Sequence, residues 1–296
     1  MNYRVHDWLC HLKNINRLSD ATLRAYKQDL DAWIAFLADR RLAPDEAVKT
    51  DARSFLTRMA KERFAASSVN RRLAALNSYY DWCRRHGGGG ENPFQDIRSI
   101  RQGRRLPVYL SYEEIDALIG ITGDDFGGKR DRVLMEMLYS TGCRIGELCS
   151  LNIDDVQKRQ VRIRGKGNRE RFVFIGTKAA EALDAYCPIR LKQVSDSPDS
   201  RRALLLSGRG NRLTPRGARH LLHKYTGQAG TDKSVHPHAF RHSFATHIYD
   251  EGANIRTVQE LLGHSSLSTT QIYTHTGIER IKRVYRDSHP HGRRND

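Results

Sequence analysis

The chain has 296 residues, with 50 Lys+Arg against 34 Asp+Glu, a formal charge of +16, and 39% hydrophobic residues. That is too much apolar material for a disordered chain, and no run nears the roughly 18 apolar residues that cross a bilayer. Five scattered cysteines (Cys10, Cys83, Cys143, Cys149, Cys187), none in a Cys-x-x-Cys pair, argue against a disulfide framework and for reduced, buried thiols without a role.

The length suggests two domains. Residues 1–104 hold 19 basic and 12 acidic side chains, and residues 105–296 hold 31 and 22, so both halves are basic. A polyanion contacted by both is the economical explanation, and nucleic acid is the expected partner. Few aromatics interleave with the basic residues, which favours duplex over single strands. The start, Met1 to Asp7, leads into polar helical sequence with no signal-peptide block, so the expected location is the cytoplasm.

In chain order, residues 1–86 read as a helical domain. Ser19 is a predicted N-cap, followed by Leu23, Tyr26, Leu30, Trp33, Ile34 and Leu37 on one face. Thr50 is the expected cap of a second helix, and Ser67 or Ser68 of a third that carries Arg71 and Arg72. Gly87–Gly90 and four arginines (Arg98, Arg101, Arg104, Arg105) make 87–109 a predicted basic linker.

Residues 110–296 form the second predicted domain. Ser111-Tyr112-Glu113-Glu114 is a capping box, Arg132–Tyr139 an apolar helix, and Ser140-Thr141-Gly142 a turn into a helix beginning near Arg144. Val161–Ile163 and Arg171–Ile175 read as two strands joined through Gly165-Lys166-Gly167-Asn168. Thr177 to about Tyr186 reads as helix, Ala203–Leu206 as a further strand, and Thr214-Pro215 as a helix start. Helical patterns at 238–250, 255–262 and 267–274 precede a basic tail. The fold class is mainly α with a small antiparallel β-sheet.

Several polar residues stand out. His238 and Arg241 are three apart, on one helical face, and both donate well to a phosphate oxygen. Arg144 opens a helix amid Cys143, Ile145 and Leu148, an expensive place for a charge unless a ligand or Glu147 pairs with it. Lys166 sits at a hairpin tip, His264 in a helix joint after Gly263, and Tyr273 nine residues further on. Each taken alone reads more simply as an ordinary turn, joint or core residue. His236, His238, His242 and His247 crowd one segment, but Glu is absent between His238 and His242, so a zinc-hydrolase motif fails. Neither a Gly-x-x-x-x-Gly-Lys-Ser/Thr loop nor Gly-x-Ser-x-Gly occurs.

Together these strings resemble the tyrosine recombinase (phage integrase) family, and within it the bacterial Xer-type recombinases. The strings are Ser140–Leu148, Gly165-Lys166-Gly167, His238–His247 and Leu261–Tyr273, in family order across the 129 positions from Arg144 to Tyr273. Thr22–Leu30 resembles the family's helical core-binding domain. The resemblance implies a SAM-like core-binding domain over 1–86 and a catalytic domain with a C-terminal tail helix over 110–296. It implies a site-specific DNA recombinase that serves chromosome dimer resolution and segregation. Alternatives are a type IB topoisomerase-like nicking and resealing enzyme, a mobile-element integrase, or a DNA-binding protein without turnover.

By the resemblance, the catalytic residues are Arg144, Lys166, His238, Arg241, His264 and Tyr273. Tyr273 attacks a DNA phosphodiester to give a 3′-phosphotyrosine and a free 5′-hydroxyl. Arg144 and Arg241 clamp the non-bridging oxygens, His238 takes the phenol proton, His264 binds the phosphate, Lys166 protonates the leaving oxygen, and Glu147 orients Arg144. Transesterification conserves the phosphodiester bond, so no cofactor, ATP or metal is expected. Expected partners are a duplex recombination site and other protomers in a tetramer on two sites. A paralogous Xer recombinase and a septal DNA translocase are further candidates. Residues 277–296 are expected to dock on a neighbouring protomer, and Arg71, Arg72 and Arg216 to read bases.

Overall fold

A computed structural model of the chain describes residues 4–87, 90–101, 109–165, 170–228, 235–263, 284–285 and 288–289. It divides into two compact units, Met1–Arg105 and Leu106–Asp296.

The first unit holds α1 (Val5–Asn14), α2 (Asp20–Ala38), α3 (Lys49–Lys61) and α4 (Ala66–Arg85). Ser19 caps α2 as predicted, its Oγ accepting from Thr22 N at 3.2 Å. The other two predicted caps shift. α3 starts after Val48, whose N–H donates to the Asp51 carboxylate at 3.1 Å, so Thr50 lies inside the helix. α4 starts after Ala65 and takes in both Ser67 and Ser68. The core is aromatic. Trp33 meets Phe55 and Phe94 edge-on at 5.1 and 4.9 Å, and its Nε1 donates to Tyr80 Oη at 2.8 Å. Tyr80 in turn donates to Pro44 O.

Part of the predicted 87–109 linker is therefore an attachment to this unit. Phe94 is fully buried. Asn92 donates to Asn77 and Asp81, and Asn70 exchanges two hydrogen bonds with the Ile100 backbone. Arg71 and Arg72 also differ from expectation. Both bind the fully buried Asp29 of α2, so these guanidiniums hold two helices together; Arg72 is largely buried, while the Arg71 side chain stays 42% exposed.

The second unit begins with α5 (Tyr112–Gly120), whose capping box is present as predicted: Ser111 N donates to Glu114 Oε2 at 2.7 Å. α6 (Phe126–Thr141) is longer than its apolar stretch and is the central helix, buried along nearly its whole length. α7 (Ile145–Ser150) follows, then β1 (Val156–Gln157), β2 (Gln160–Arg164) and β3 (Glu170–Phe174) in an antiparallel sheet of order β1-β2-β3. The two predicted strands are β2 and β3, paired Val161 to Val173 and Ile163 to Arg171. β1 has no counterpart among the predicted elements.

α8 (Thr177–Gln193) packs on α6 and runs past Pro188. α9 (Pro198–Arg202) precedes Ala203–Leu206, which is no strand. That segment makes only single bridges to Asn152 and Arg212. The buried Arg190 side chain binds the carbonyls of Ser200, Arg201 and Ala203, and Tyr186 Oη accepts from Leu206 N. α10 (Pro215–Gln228) starts at the predicted cap, with Gly217 N donating to Thr214 Oγ1. α11 (Pro237–Asp250) and α12 (Ile255–Leu262) complete the described helices. The predicted 267–274 helix lies outside the described residues.

Of the tail, Val284, Tyr285, Ser288 and His289 are described. Tyr285 and His289 are buried against their own unit: Tyr285 Oη shares a 2.6 Å hydrogen bond with Ser140 Oγ, and His289 stacks on Tyr285. Among the described residues no helix is long and apolar enough to cross a membrane.

Candidate active site

α6 ends at Gly142, in the left-handed region at φ +57°. A Cβ there would come within 2.4 Å of Phe244 on α11. Only glycine accepts both the dihedral and the close approach, and it brings α11 against the turn that leads to Arg144.

Arg144 is the residue before α7, in extended conformation, with its side chain half exposed. Its backbone N–H donates to Glu147 Oε2 at 2.9 Å and its Nη1 to Oε1 at 3.0 Å. The buried Glu147 carboxylate is held from the other side by Arg171 of β3, through Nη1 at 3.1 Å and Nη2 at 2.7 Å. Four N–H groups thus converge on one carboxylate. Burial pushes the Glu147 carboxyl up, but the bonds and charge of Arg171, then those of Arg144, outweigh it. The carboxyl is held below its ordinary value.

Arg241, one turn after His238 on α11, donates from Nη1 to Gly142 O at 2.7 Å and from Nη2 to Leu262 O at 2.8 Å. It ties α11 to the end of α6 and the end of α12. Burial and the neighbouring Arg144 and Arg171 charges lower its pKa to about 10, which still leaves it a cation at neutral pH. Three guanidiniums with one carboxylate leave an excess of positive charge, an arrangement suited to an anion with several oxygens.

The His238 side chain is exposed at the start of α11. Partial desolvation, then the charges of His236, Arg241, Arg144 and Arg219, lower its pKa below 6.5. It is therefore neutral at pH 7 and able to take up a proton. His236 has a separate task as the N-cap of α11, its Nδ1 accepting from Ala239 N at 2.9 Å. His247 is buried, with Nδ1 bonded to Tyr139 Oη, and the His242 ring meets Tyr109 edge-on. The crowded histidines thus have different neighbours. Among the described residues no three His, Cys, Asp or Glu side chains are grouped to hold a metal ion. Cys143 is buried, and desolvation pushes its thiol up to about 11.

The structure thus brings Arg144 and Arg241 together, with His238 coupled to both. Lys166, His264 and Tyr273 lie outside the described residues. Arg171 and the capping role of His236 are missed by the sequence reading. A signal for Arg171 was available: it shares the inward face of β3 with Val173, and an inward arginine requires a buried acceptor.

Two family models match, the phage integrase family over residues 109–280 and the phage integrase N-terminal SAM-like domain over residues 5–87. The chain is 35% identical over 293 residues to a tyrosine recombinase XerC of Thermodesulfovibrio yellowstonii, covering 97% of this chain and 96% of that one. It is 38% identical over 285 residues to a tyrosine recombinase XerC of Listeria monocytogenes serovar 1/2a, covering 95% of each. Two solved structures share the fold. One is the XerH site-specific recombinase bound to palindromic difH substrate in a post-cleavage complex, with TM-score 0.67 and 21% identity over 94% of this chain and 83% of that one. The other is a lambda integrase dimer bound to a core site, with TM-score 0.65 and 17% identity over 88% of this chain and 95% of that one. With a family model over residues 109–280 and relatives 35% and 38% identical along nearly their full length, the chain belongs to the phage integrase family of tyrosine recombinases.

Proposed function

We propose that this recombinase cuts and rejoins duplex DNA at a specific site through a 3′-phosphotyrosine on Tyr273, and that it serves chromosome dimer resolution. The observation that carries the reading is the assembly of Arg144 and Arg241, with Glu147 backing the first and two main-chain carbonyls the second. The Arg144 charge, after burial, lowers the Arg241 pKa, and a DNA phosphate between the two would relieve that repulsion.

In this reading the Tyr273 phenolic oxygen bonds to phosphorus as the bond to the 5′-oxygen breaks. The phenol proton passes to His238, whose lowered pKa leaves it neutral beforehand. Lys166 protonates the leaving 5′-oxygen, and His264 donates to the phosphate. A phenol of pKa ~10 is only about 0.1% ionised at pH 7, and each unit of lowering by nearby cations is worth ~1.4 kcal/mol. A 5′-hydroxyl from the partner strand then attacks phosphorus and frees Tyr273.

The partners are a duplex recombination site and further protomers, consistent with the DNA-bound XerH and the lambda integrase dimer. A paralogous recombinase and a septal translocase are proposed as further partners, and the cytoplasm as the location. Arg216, exposed in the first turn of α10, remains the proposed base reader once Arg71 and Arg72 are assigned to Asp29. The test is strand exchange between two labelled duplexes carrying the chain's own chromosomal site. Exchanged products support recombination. Relaxation of supercoiled DNA without exchange would instead favour a topoisomerase-like enzyme, and exchange confined to mobile-element ends would remove the chromosomal role.

A further inference from the structure

We infer that Arg171 is a positioning residue of DNA cleavage: it locks Glu147, and through it Arg144, to strand β3 and to the end of α12. The inference rests on the cleavage reaction proposed above. Arg171 is 8% exposed and stands opposite Ile163 on the inner face of the hairpin, where an arginine is costly without a matched acceptor. Its fork grips both oxygens of Glu147, which fixes the carboxylate plane. The remaining acceptor directions of that carboxylate meet the backbone and guanidinium of Arg144.

A second contact runs the other way. A Cβ on Gly263 would come within 3.0 Å of Arg171 Cδ and Nε, so the guanidinium lies directly against the glycine that ends α12 at φ +69°. Arg171 Nε is buried and has no acceptor among the described residues, so this arginine is kept for its bidentate fork and not for full hydrogen bonding. In sequence, Arg171 follows Lys166 by five positions, and Gly263 precedes His264. One side chain on β3 therefore touches both the carboxylate that holds Arg144 and the glycine that ends α12.

The experiment uses the full chain on a nicked suicide duplex, with single-turnover cleavage, DNA affinity and thermal unfolding measured for Arg171→Lys, Arg171→Gln, Glu147→Gln and the Glu147→Gln/Arg171→Gln pair. DNA affinity is expected to stay near that of the parent, because phosphate contacts elsewhere set it. Cleavage is expected to slow about 10–100-fold in both Arg171 variants, since lysine keeps the charge but not the fork. The paired variant replaces the ion pair by two amides, which guards against a folding failure. It is expected to cleave no more slowly than Glu147→Gln alone.

The pH profile gives a readout that a scaffold role would not move. Glu147 is faced by Arg144 at its own helix start, Arg171 on β3, Arg241 on α11 and the Cys143 thiol. Without Arg171, burial is opposed mainly by Arg144, and Arg171→Gln is expected to gain a second acid limb, beyond the one that protonation of His238 gives the parent. Parental cleavage rates in both Arg171 variants would overturn the inference. So would slowing that multiplies with Glu147→Gln, or slowing that tracks the unfolded fraction alone. A parent chain that does not cleave would sink the reaction reading instead, and this inference with it.

Discussion

Asp29 in the first unit and Glu147 in the second are each buried between two arginines, and the two arrangements do opposite work. Asp29 on α2 takes Arg71 and Arg72, neighbours on α4, and joins two helices. Burial outweighs both cations there and pushes the Asp29 carboxyl up. Glu147 takes Arg171 from β3 and Arg144 from its own helix start, and the cations outweigh burial. The Arg144 side chain stays 51% exposed, so it is held in place yet still open to a ligand. The same ion chemistry makes a clamp in one place and a presented cation in the other, according to which strand or helix supplies the second arginine.

Substitutions should separate the two. Asp29→Ala leaves Arg72 without its acceptor and is expected to cost about 3–5 kcal/mol in urea unfolding, with little change in cleavage by the folded fraction. Arg144→Gln should do the reverse: about 10²–10³-fold slower single-turnover cleavage, with an unfolding midpoint near that of the parent. A variant of either kind that shifted both readouts equally would erase the distinction.

Acid titration sharpens the contrast through its sign. Glu147, with a lowered pKa, contributes stability that is present above 4.5 and lost as pH falls through its folded value. Asp29, with a raised pKa, contributes in the opposite sense, and its share is lost as pH rises from 3.8 through the folded value. The stability difference between parent and Glu147→Gln should therefore shrink on acidification, while that between parent and Asp29→Asn grows. The smallest expected effect is a control that touches neither carboxylate: Ser111→Ala, which removes the α5 cap, should cost about 1 kcal/mol.

Much of this was legible in the sequence where one residue does one local job. Ser19, Ser111 and Thr214-Pro215 mark helix starts because a side-chain oxygen satisfies a backbone N–H within three positions. The motif strings pointed to Arg144 and Arg241, and the Arg241 side chain does bond the turn that leads to Arg144. What failed depends on distant partners. Arg71 and Arg72 read as free cations because Asp29 lies more than forty residues away. Ala203–Leu206 reads as a strand from its apolar run, yet it makes only single bridges, and the Ala203 carbonyl and Leu206 N–H are taken by the side chains of Arg190 and Tyr186. Arg171 escaped because its acceptor, Glu147, sits twenty-four positions earlier on another element.

The most direct test of the central claim is to trap the chain on a nicked suicide duplex, digest the complex, and find by mass spectrometry which side chain carries the nucleotide. The account predicts a 3′-phosphate ester on Tyr273 and no adduct in Tyr273→Phe. An adduct on any other residue, or none from a folded chain that binds its site, would contradict it.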